Sequence, residues 1–126
     1  INNSILLNFK LFESAYLMGK EHGYKTVFIN FPDRLQIDEL NFLVRNKNYI
    51  MPKEGNLNKL IINKYQKKYF SDKGYYYLDL LPDFSNVSED IYYDSVDPHW
   101  SSKGNDLAAR HVADYLKQNN LIQNKA

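Results

Sequence analysis

TVFINF, residues 26–31, is the stretch that decides the fold, and Pro32 ends it. The stretch is almost continuously apolar, which is typical of a parallel β-strand that is buried on both faces. A second stretch of this kind, YYYLDL, occupies residues 75–80 and is stopped by Pro82. We therefore predict two parallel strands, each with helices above and below it.

Helical patterns alternate with these two strands. Apolar residues recur at helical spacing in residues 5–21, in residues 56–70 and in a last helix marked by Leu107, Ala108, His111, Val112, Tyr115 and Leu116. Gly23 and Gly74 follow the first two segments, and glycine is common just past a helix end. The order predicts an α/β fold in which right-handed crossovers join parallel strands.

The predicted sheet is small. Two strands make a poor sheet on their own, so the chain either pairs with a segment outside this sequence, forms a homodimer, or carries another strand in residues 33–52. That region also contains a predicted short helix at 37–44 and could act as a lid. Because a length of 126 residues fits one domain, we expect residues 1–126 to be a single α/β domain or a fragment of one.

The composition is that of a globular protein, with 44% hydrophobic and 25% charged residues. A net charge of +1 gives no reason to expect nucleic acid or another polyanion as a partner. The longest apolar runs are far shorter than a membrane span, so we predict no membrane-spanning segment in this chain. The lack of cysteine in the sequence excludes disulfides and thiolate metal sites.

Tyrosines and lysines are interleaved in KYQKKY, residues 64–69. Aromatic rings among cations are typical of surfaces that stack bases and contact phosphates. The same segment fits an ordinary amphipathic helix, whose apolar stripe would be Leu57, Leu60, Ile61, Tyr65 and Tyr69. We favour the helix, with its lysines on the solvated face and no nucleic acid bound.

The residues richest in chemistry lie in DPHWSSKGNDLAA, residues 97–109. Asp97 precedes a proline, which favours extended backbone at that position. In an extended segment, residues two apart point to the same side, so Asp97 can face His99. A carboxylate bonded to one imidazole nitrogen leaves the other nitrogen able to take a proton from a nucleophile. The pair therefore predicts an acid–base relay.

Asp94 lies on the same loop and is an alternative to Asp97 as the acid of the relay. Together with Asp97 and His99 it could instead form a metal site with oxygen and nitrogen ligands. No further histidine lies nearby in the sequence, so we expect no metal. We also expect no cofactor.

Several residues near the pair, and the other histidines, have structural explanations as well as catalytic ones. Trp100 either packs under the site or contacts substrate. Ser101 or Ser102 is expected to cap the following helix. Of the other histidines, His111 is expected at the core or its boundary, and His22 is expected to complement the dipole at a helix C-terminus.

The block of Asp97, His99 and Trp100, followed by Gly104 and an apolar helix, resembles the C-terminal catalytic block of the SGNH (GDSL-like) hydrolases. These are esterases and acyltransferases on a flavodoxin-like three-layer α/β sandwich. The resemblance implies that His99 is the general base and Asp97 its orienting acid. The commoner family spacing is Asp-x-x-His; the shorter Asp-x-His-Trp is similar to the branch of cell-envelope and exopolysaccharide O-acetyltransferases.

Two further blocks of that family are missing from this sequence. The family's nucleophile lies in an N-terminal Gly-Asp-Ser block, and its oxyanion hole uses a Gly and an Asn from later blocks. The chain contains no Gly-Asp-Ser and no Gly-x-Asn-Asp. None of its serines is predicted in a strand-to-helix elbow, the context that exposes a nucleophile. The chain therefore resembles the C-terminal half of such an enzyme.

The resemblance implies part of a serine-dependent esterase or O-acyltransferase that acts on ester-linked groups, such as acetyl, of a glycan or lipid. His99 and Asp97 would be catalytic and Trp100 would bind substrate, while the missing N-terminal half would supply the serine. The chain alone would be inactive. The branch implies a bacterial cell-envelope or secreted location. The alternative is a non-catalytic α/β module that binds a carbohydrate or a protein through its tyrosines.

Overall fold

A computed structural model describes residues 3–37, 60–87, 90–93 and 99–122. The elements in chain order are α1 (Asn3–Glu21), β1 (Val27–Asn30), α2 (Arg34–Ile37), α3 (Ile61–Lys73), β2 (Tyr76–Asp79), α4 (Leu81–Ser85) and α5 (Ser102–Gln118). The predicted α/β class is confirmed. The predicted short helix at 37–44 and the predicted extra strand or lid in residues 33–52 lie mostly outside the described residues.

The two strands form a parallel pair, as predicted. Val27 is opposite Tyr76 and Asn30 is opposite Asp79, so the carboxyl ends of both strands lie at one edge. The phenol of Tyr115 on α5 accepts a hydrogen bond from the backbone N–H of Tyr77, at 2.9 Å. Tyr77 belongs to β2. Its backbone N–H is therefore satisfied by a side chain and not by a neighbouring strand.

One face of the sheet packs against α1 and α3 through aromatic rings. Phe28 of β1 and Tyr77 of β2 are opposite each other and share this face. Phe70 of α3 stacks on both, with centroids 4.7 Å from Phe28 and 4.6 Å from Tyr77. Phe12 of α1 meets Phe28 edge to face at 5.4 Å. Such offset and edge-on pairs are the favoured geometries of buried rings.

The other face of the sheet packs against the second half of the chain. Ile29 and Leu78, opposite each other in register, contact a buried cluster. Its members come from the residue before α4, from α4, from the segment after it and from α5, and are Leu80, Phe84, Ile91, Tyr92 and Ala108. Helices therefore cover both faces of the strands, as predicted, although each residue of β1 and β2 is only partly buried and not fully buried as the apolar runs suggested.

The glycine stops at the ends of the first two long helices are confirmed. Gly23 has φ of 75°, and Gly74 caps α3 with φ of 66°, a left-handed conformation that glycine adopts without steric cost. The second long helix, α3, begins at Ile61 with Leu60 as its N-cap. Residues 56–59 of the predicted helix, with Leu57 of its predicted stripe, lie outside the described residues.

The predicted apolar stripe of this helix is wrong at two positions. Leu60 and Ile61 are exposed, and the buried residues of α3 are Asn63 and Phe70. The helix turns Asn63 inward because its side-chain amide donates to both carboxylate oxygens of Asp79, at 3.0 Å each. A polar contact thus sets which side of α3 faces the sheet.

Residues 81–85, directly after the second strand, form the short helix α4, which the sequence did not predict. Pro82 lies in its first turn, where a missing backbone N–H costs no helical hydrogen bond. The carboxylate of Asp79 accepts the N–H of Leu81 at 3.1 Å and so starts the turn. Proline ends β2 but also begins a helix.

The outer side of α1 carries unburied apolar residues. No residue of α1 is buried, and Leu7, Leu11 and Met18 are more than half exposed. Within the described ranges, no helix combines the length and apolar character needed to cross a membrane.

Candidate active site

A polar network lies at the carboxyl edge of the two strands. Asn30, the last residue of β1, donates from Nδ2 to Oδ1 of Asp79 at 3.0 Å. Asp79 is the last residue of β2 and also accepts from Asn63 and from the N–H of Leu81. A carboxylate that accepts four hydrogen bonds from three donor groups is held in a single orientation. The network locks the two strand ends together.

The same network extends to the start of α2. The Asn63 side-chain oxygen accepts from Nε2 of Gln36 at 2.9 Å. The other end of the Gln36 amide accepts the backbone N–H of Asp33 at 2.9 Å, and the Asp33 carboxylate accepts the N–H of Leu35 at 2.8 Å. This reciprocal pattern is a variant of the capping box, in which the N-cap carboxylate accepts the N–H of the second helical residue instead of the third. It makes the chain turn into α2 immediately after β1.

A short antiparallel pairing carries His99. Tyr92 is opposite Trp100, and the flanking hydrogen bonds run from Tyr93 N–H to His99 C=O at 2.8 Å and from Ser101 N–H to Ile91 C=O at 2.9 Å. Because side chains of opposed residues share a face, Tyr92 and Trp100 point to one side. Tyr93 and His99, one position along, lie on the other side and are exposed.

Three contacts fasten this pairing to the carboxyl edge of the sheet. The Tyr92 phenol donates to the backbone oxygen of Pro32 at 3.0 Å. Nη1 of Arg34 donates to the backbone oxygen of Tyr93 at 2.7 Å. The Trp100 indole packs between Phe31, which follows β1, and Phe84 of α4, at centroid distances of 5.0 and 5.1 Å. His99 is therefore held beyond the strand ends, where ligands of open α/β sheets bind.

The helix after the pairing begins as predicted. Ser101 is the N-cap of α5, and its hydroxyl accepts the N–H of Gly104 at 3.3 Å. A Cβ at Gly104 would overlap the backbone oxygen of Ile91 and lie 3.1 Å from Cβ of Trp100. Glycine thus allows α5 to approach the paired segment closely.

The two partners of the predicted relay have different outcomes. His99 is an exposed residue at the carboxyl edge. Asp97, and the alternative acid Asp94, lie outside the described residues, and the relay geometry stays a prediction. Trp100 packs between aromatic rings, as expected of a residue under the site. Its contact with substrate also stays a prediction.

The other two histidines occupy ordinary positions. Nδ1 of His111 lies 3.5 Å from a carboxylate oxygen of Asp83, and both side chains are about one third exposed, at 36% and 34%. His111 is thus a boundary residue, as expected. Nδ1 of His22 contacts the backbone oxygen of Met18 at 2.9 Å, near the C-terminus of α1. In the described parts of the chain, no three histidine, aspartate or glutamate side chains cluster closely enough to hold a metal ion.

Burial changes the acidity of two tyrosines around the site. It raises the pKa of Tyr92 to about 12, against a smaller opposing effect of the hydrogen bond with Trp100. Burial, and then the negative charge of Asp79, raises the pKa of Tyr77 well above its usual range. Both phenols are therefore uncharged hydrogen-bonding groups at neutral pH.

Sequence reasoning missed the residues that build the edge, namely Asn30, Arg34, Asn63, Asp79 and Tyr92. One pattern could have revealed a pair of them. Each apolar strand stretch contains one strongly polar residue near its carboxyl end, Asn30 in the first and Asp79 in the second. Parallel strands place such residues side by side.

No family model, curated protein or solved structure matches this chain.

Proposed function

We propose that this chain is the His-Asp portion of a serine-dependent esterase or O-acyltransferase of the SGNH type, on a flavodoxin-like three-layer sandwich. His99 would take the proton of a serine hydroxyl as the serine attacks an ester carbonyl, and Asp97 would hold the imidazole in the required tautomer. An acyl-enzyme would form and then pass its acyl group to water or to a glycan hydroxyl. The serine would come from the remainder of the protein.

One observation carries this proposal: His99 is exposed at the carboxyl edge of a parallel strand pair while its neighbour Trp100 is packed beneath it. A histidine that served only for packing would be turned inward. Here the inward positions belong to Tyr92 and Trp100, and the outward ones to Tyr93 and His99. This position of His99 supports the proposal, because ligands of open α/β sheets bind beyond the carboxyl ends of the strands.

The sequence that precedes this chain in the complete protein is the first place to look for the nucleophile. In the SGNH pattern the Gly-Asp-Ser block is N-terminal to the block with Asp and His, so we expect it before residues 1–126. Because a domain of this kind has about 100–200 residues, the block should lie within that distance.

Labelling of the complete protein by a serine-directed fluorophosphonate tests the proposal. We expect one serine outside residues 1–126 to be labelled, and His99→Ala to slow the labelling because the serine loses its base. His111→Ala is the matched control, since it removes another partly exposed histidine beside an aspartate. Asp97→Asn should slow labelling less than His99→Ala does.

Two results would reject the enzyme. One is a complete protein that the probe does not label, and the other is labelling that His99→Ala leaves unchanged. In either case the carbohydrate- or protein-binding module becomes the better explanation, and the exposed rings of Phe31 and Tyr93 are the first residues to test for binding.

A further inference from the structure

Arg34 is a charged residue in an unusual position. It is the first residue of α2, directly after the carboxyl end of β1, and its side chain is buried, with 4% of the residue exposed. Burying a guanidinium is costly unless its N–H groups find acceptors. A buried arginine in this place therefore has a specific task.

The contacts of Arg34 show where its charge is directed. Nη1 donates to the backbone oxygen of Tyr93 at 2.7 Å, a short hydrogen bond of the charge-assisted kind. The guanidinium carbon also lies 5.7 Å from the centre of the Tyr92 ring. Both contacts fall on one strand of the pairing that carries His99.

The next link leads to His99 itself. The peptide N–H of Tyr93 donates to the backbone oxygen of His99 at 2.8 Å. The backbone of Tyr93 therefore accepts a hydrogen bond from Arg34 with its carbonyl and donates one to His99 with its N–H. Gln36 of α2 donates to Asn63, which in turn donates to Asp79 at the end of β2. These contacts connect the backbone of His99, through Tyr93 and Arg34, to the strand ends.

We propose that Arg34 is a positioning residue for His99: it fixes the backbone that carries the base, without touching the substrate. This inference rests on the proposed function. The planar guanidinium can donate to Tyr93 and lie against the Tyr92 ring at once, which a lysine ammonium does less well. A base displaced by about 1 Å can cost about a hundredfold in rate, so such a contact affects kcat more than KM.

Two variants of the complete protein test this inference, Arg34→Met and Arg34→Lys. With p-nitrophenyl acetate, we expect Arg34→Met to lower kcat by about tenfold or more, with KM nearly unchanged. Arg34→Lys should restore part of the loss, because it can still donate to Tyr93. Amide hydrogen exchange gives a second readout: the Tyr93 amide should exchange faster in Arg34→Met, while the Tyr77 amide of β2 should not.

Two control variants separate positioning from general effects. Arg110→Met removes an exposed arginine of α5 whose Nε contacts the backbone oxygen of Asp106 within the same helix, so both readouts should stay unchanged. Phe70→Leu weakens the aromatic layer on the opposite face of the sheet. It should lower stability without a selective change at Tyr93.

The two readouts also distinguish this inference from the proposed function. If the wild-type complete protein does not turn over the ester, the proposed function fails. The exchange of the Tyr93 amide then still tests whether Arg34 fixes the backbone at Tyr93. If turnover requires His99 but Arg34→Met leaves kcat unchanged, the positioning role is wrong. It is equally wrong if Arg34→Met speeds exchange at Tyr93 no more than Phe70→Leu does. Arg34→Lys gives the same comparison if Arg34→Met does not fold.

Discussion

Tyr92 connects the pairing that carries His99 to the segment after β1 through a single buried phenol. Only 5% of the residue is exposed, its hydroxyl donates to Pro32 at 3.0 Å, and burial raises its pKa to about 12. A tyrosine in the unfolded chain ionises near pH 10. Below that pH both states are protonated and the contribution of Tyr92 to stability is fully present. As the pH rises further, the unfolded state ionises first, and the contribution is lost by the time the pH passes the folded pKa.

We therefore predict a loss of folding stability between about pH 10 and about pH 12, by roughly 1.4 kcal/mol per pH unit for each such tyrosine. Tyr92→Phe should cost about 1 kcal/mol at neutral pH, because it removes the hydrogen bond to Pro32, and should make the alkaline loss shallower. Urea unfolding at neutral and alkaline pH measures both effects. Tyr24→Phe, at a residue 73% exposed, is the matched control and should change neither.

Glycine at position 104 shows that one atom can determine how an element packs. Gly-to-Ala changes inside helices ordinarily stabilise, by up to about 1 kcal/mol. Here the added methyl would overlap the backbone oxygen of Ile91, so α5 would have to move away from the paired segment. The sign of the stability change in Gly104→Ala therefore tests whether α5 approaches the paired segment closely.

We expect Gly104→Ala to destabilise the protein by about 1–3 kcal/mol, as overpacking does. Asn105→Ala, at the next and exposed position of the same helix, should be neutral or slightly stabilising. Chemical denaturation of the two variants makes the comparison. Equal or greater stability of Gly104→Ala would contradict the close approach of α5.

The carboxyl ends of the two strands are held together by hydrogen bonds to Asp79. Asp79 accepts from Asn30, from Asn63 and from the N–H of Leu81 at about 3 Å. In Asp79→Ala these donors lose their acceptor, and a buried unsatisfied donor costs about 1–3 kcal/mol. We predict a loss of about 2–4 kcal/mol for Asp79→Ala in urea unfolding, since several donors are affected. Asp72→Ala, an exposed carboxylate paired with Lys68, should cost less than about 1 kcal/mol.

The elements differ in how far the sequence predicts them. The strands and the glycine stops were predictable because apolar runs and left-handed caps are local properties. The helix α4 was missed because Pro82 both ends a strand and starts a helix, and composition does not tell these apart. The inward side of α3 was missed because it depends on Asn63 meeting Asp79, which lies 16 residues further along the chain.

The candidate site was predicted only in part, for the same physical reason. His99 could be singled out because its neighbours form a local pattern. Arg34 could not, since arginine is ordinarily exposed and its burial depends on Tyr93, which lies 59 residues away in the chain. The loop with Asp97 lies outside the described residues, so its orientation relative to His99 stays a prediction.

The described part of the molecule has a small sheet within an α/β arrangement. Of the described residues, only β1 and β2 form strands, and the donor of Tyr77 in β2 is already taken by Tyr115. β1 therefore offers the more open edge for a further strand. The exposed apolar residues of α1 and α3 fit an arrangement in which more of the fold packs there.

We predict that residues 1–126 alone do not hydrolyse p-nitrophenyl acetate above an inert-protein control. The reason is that no serine of the chain is predicted in a nucleophile elbow and no oxyanion donors are identified, and these groups supply most of the rate enhancement in such sites. Initial rates at several protein concentrations measure this. Turnover that a serine-directed phosphonate removes would mean that one serine of this chain is itself the nucleophile.

The most direct test of the central claim is the kcat/KM of the complete protein for an acetyl ester, compared between His99→Ala and His111→Ala. If His99 is the base, His99→Ala should lower kcat/KM by at least about a thousandfold. His111→Ala should leave it essentially unchanged, and circular dichroism should show both variants folded. A His99→Ala protein that turns over the ester as fast as the His111→Ala protein would contradict the assignment of His99 as the catalytic base.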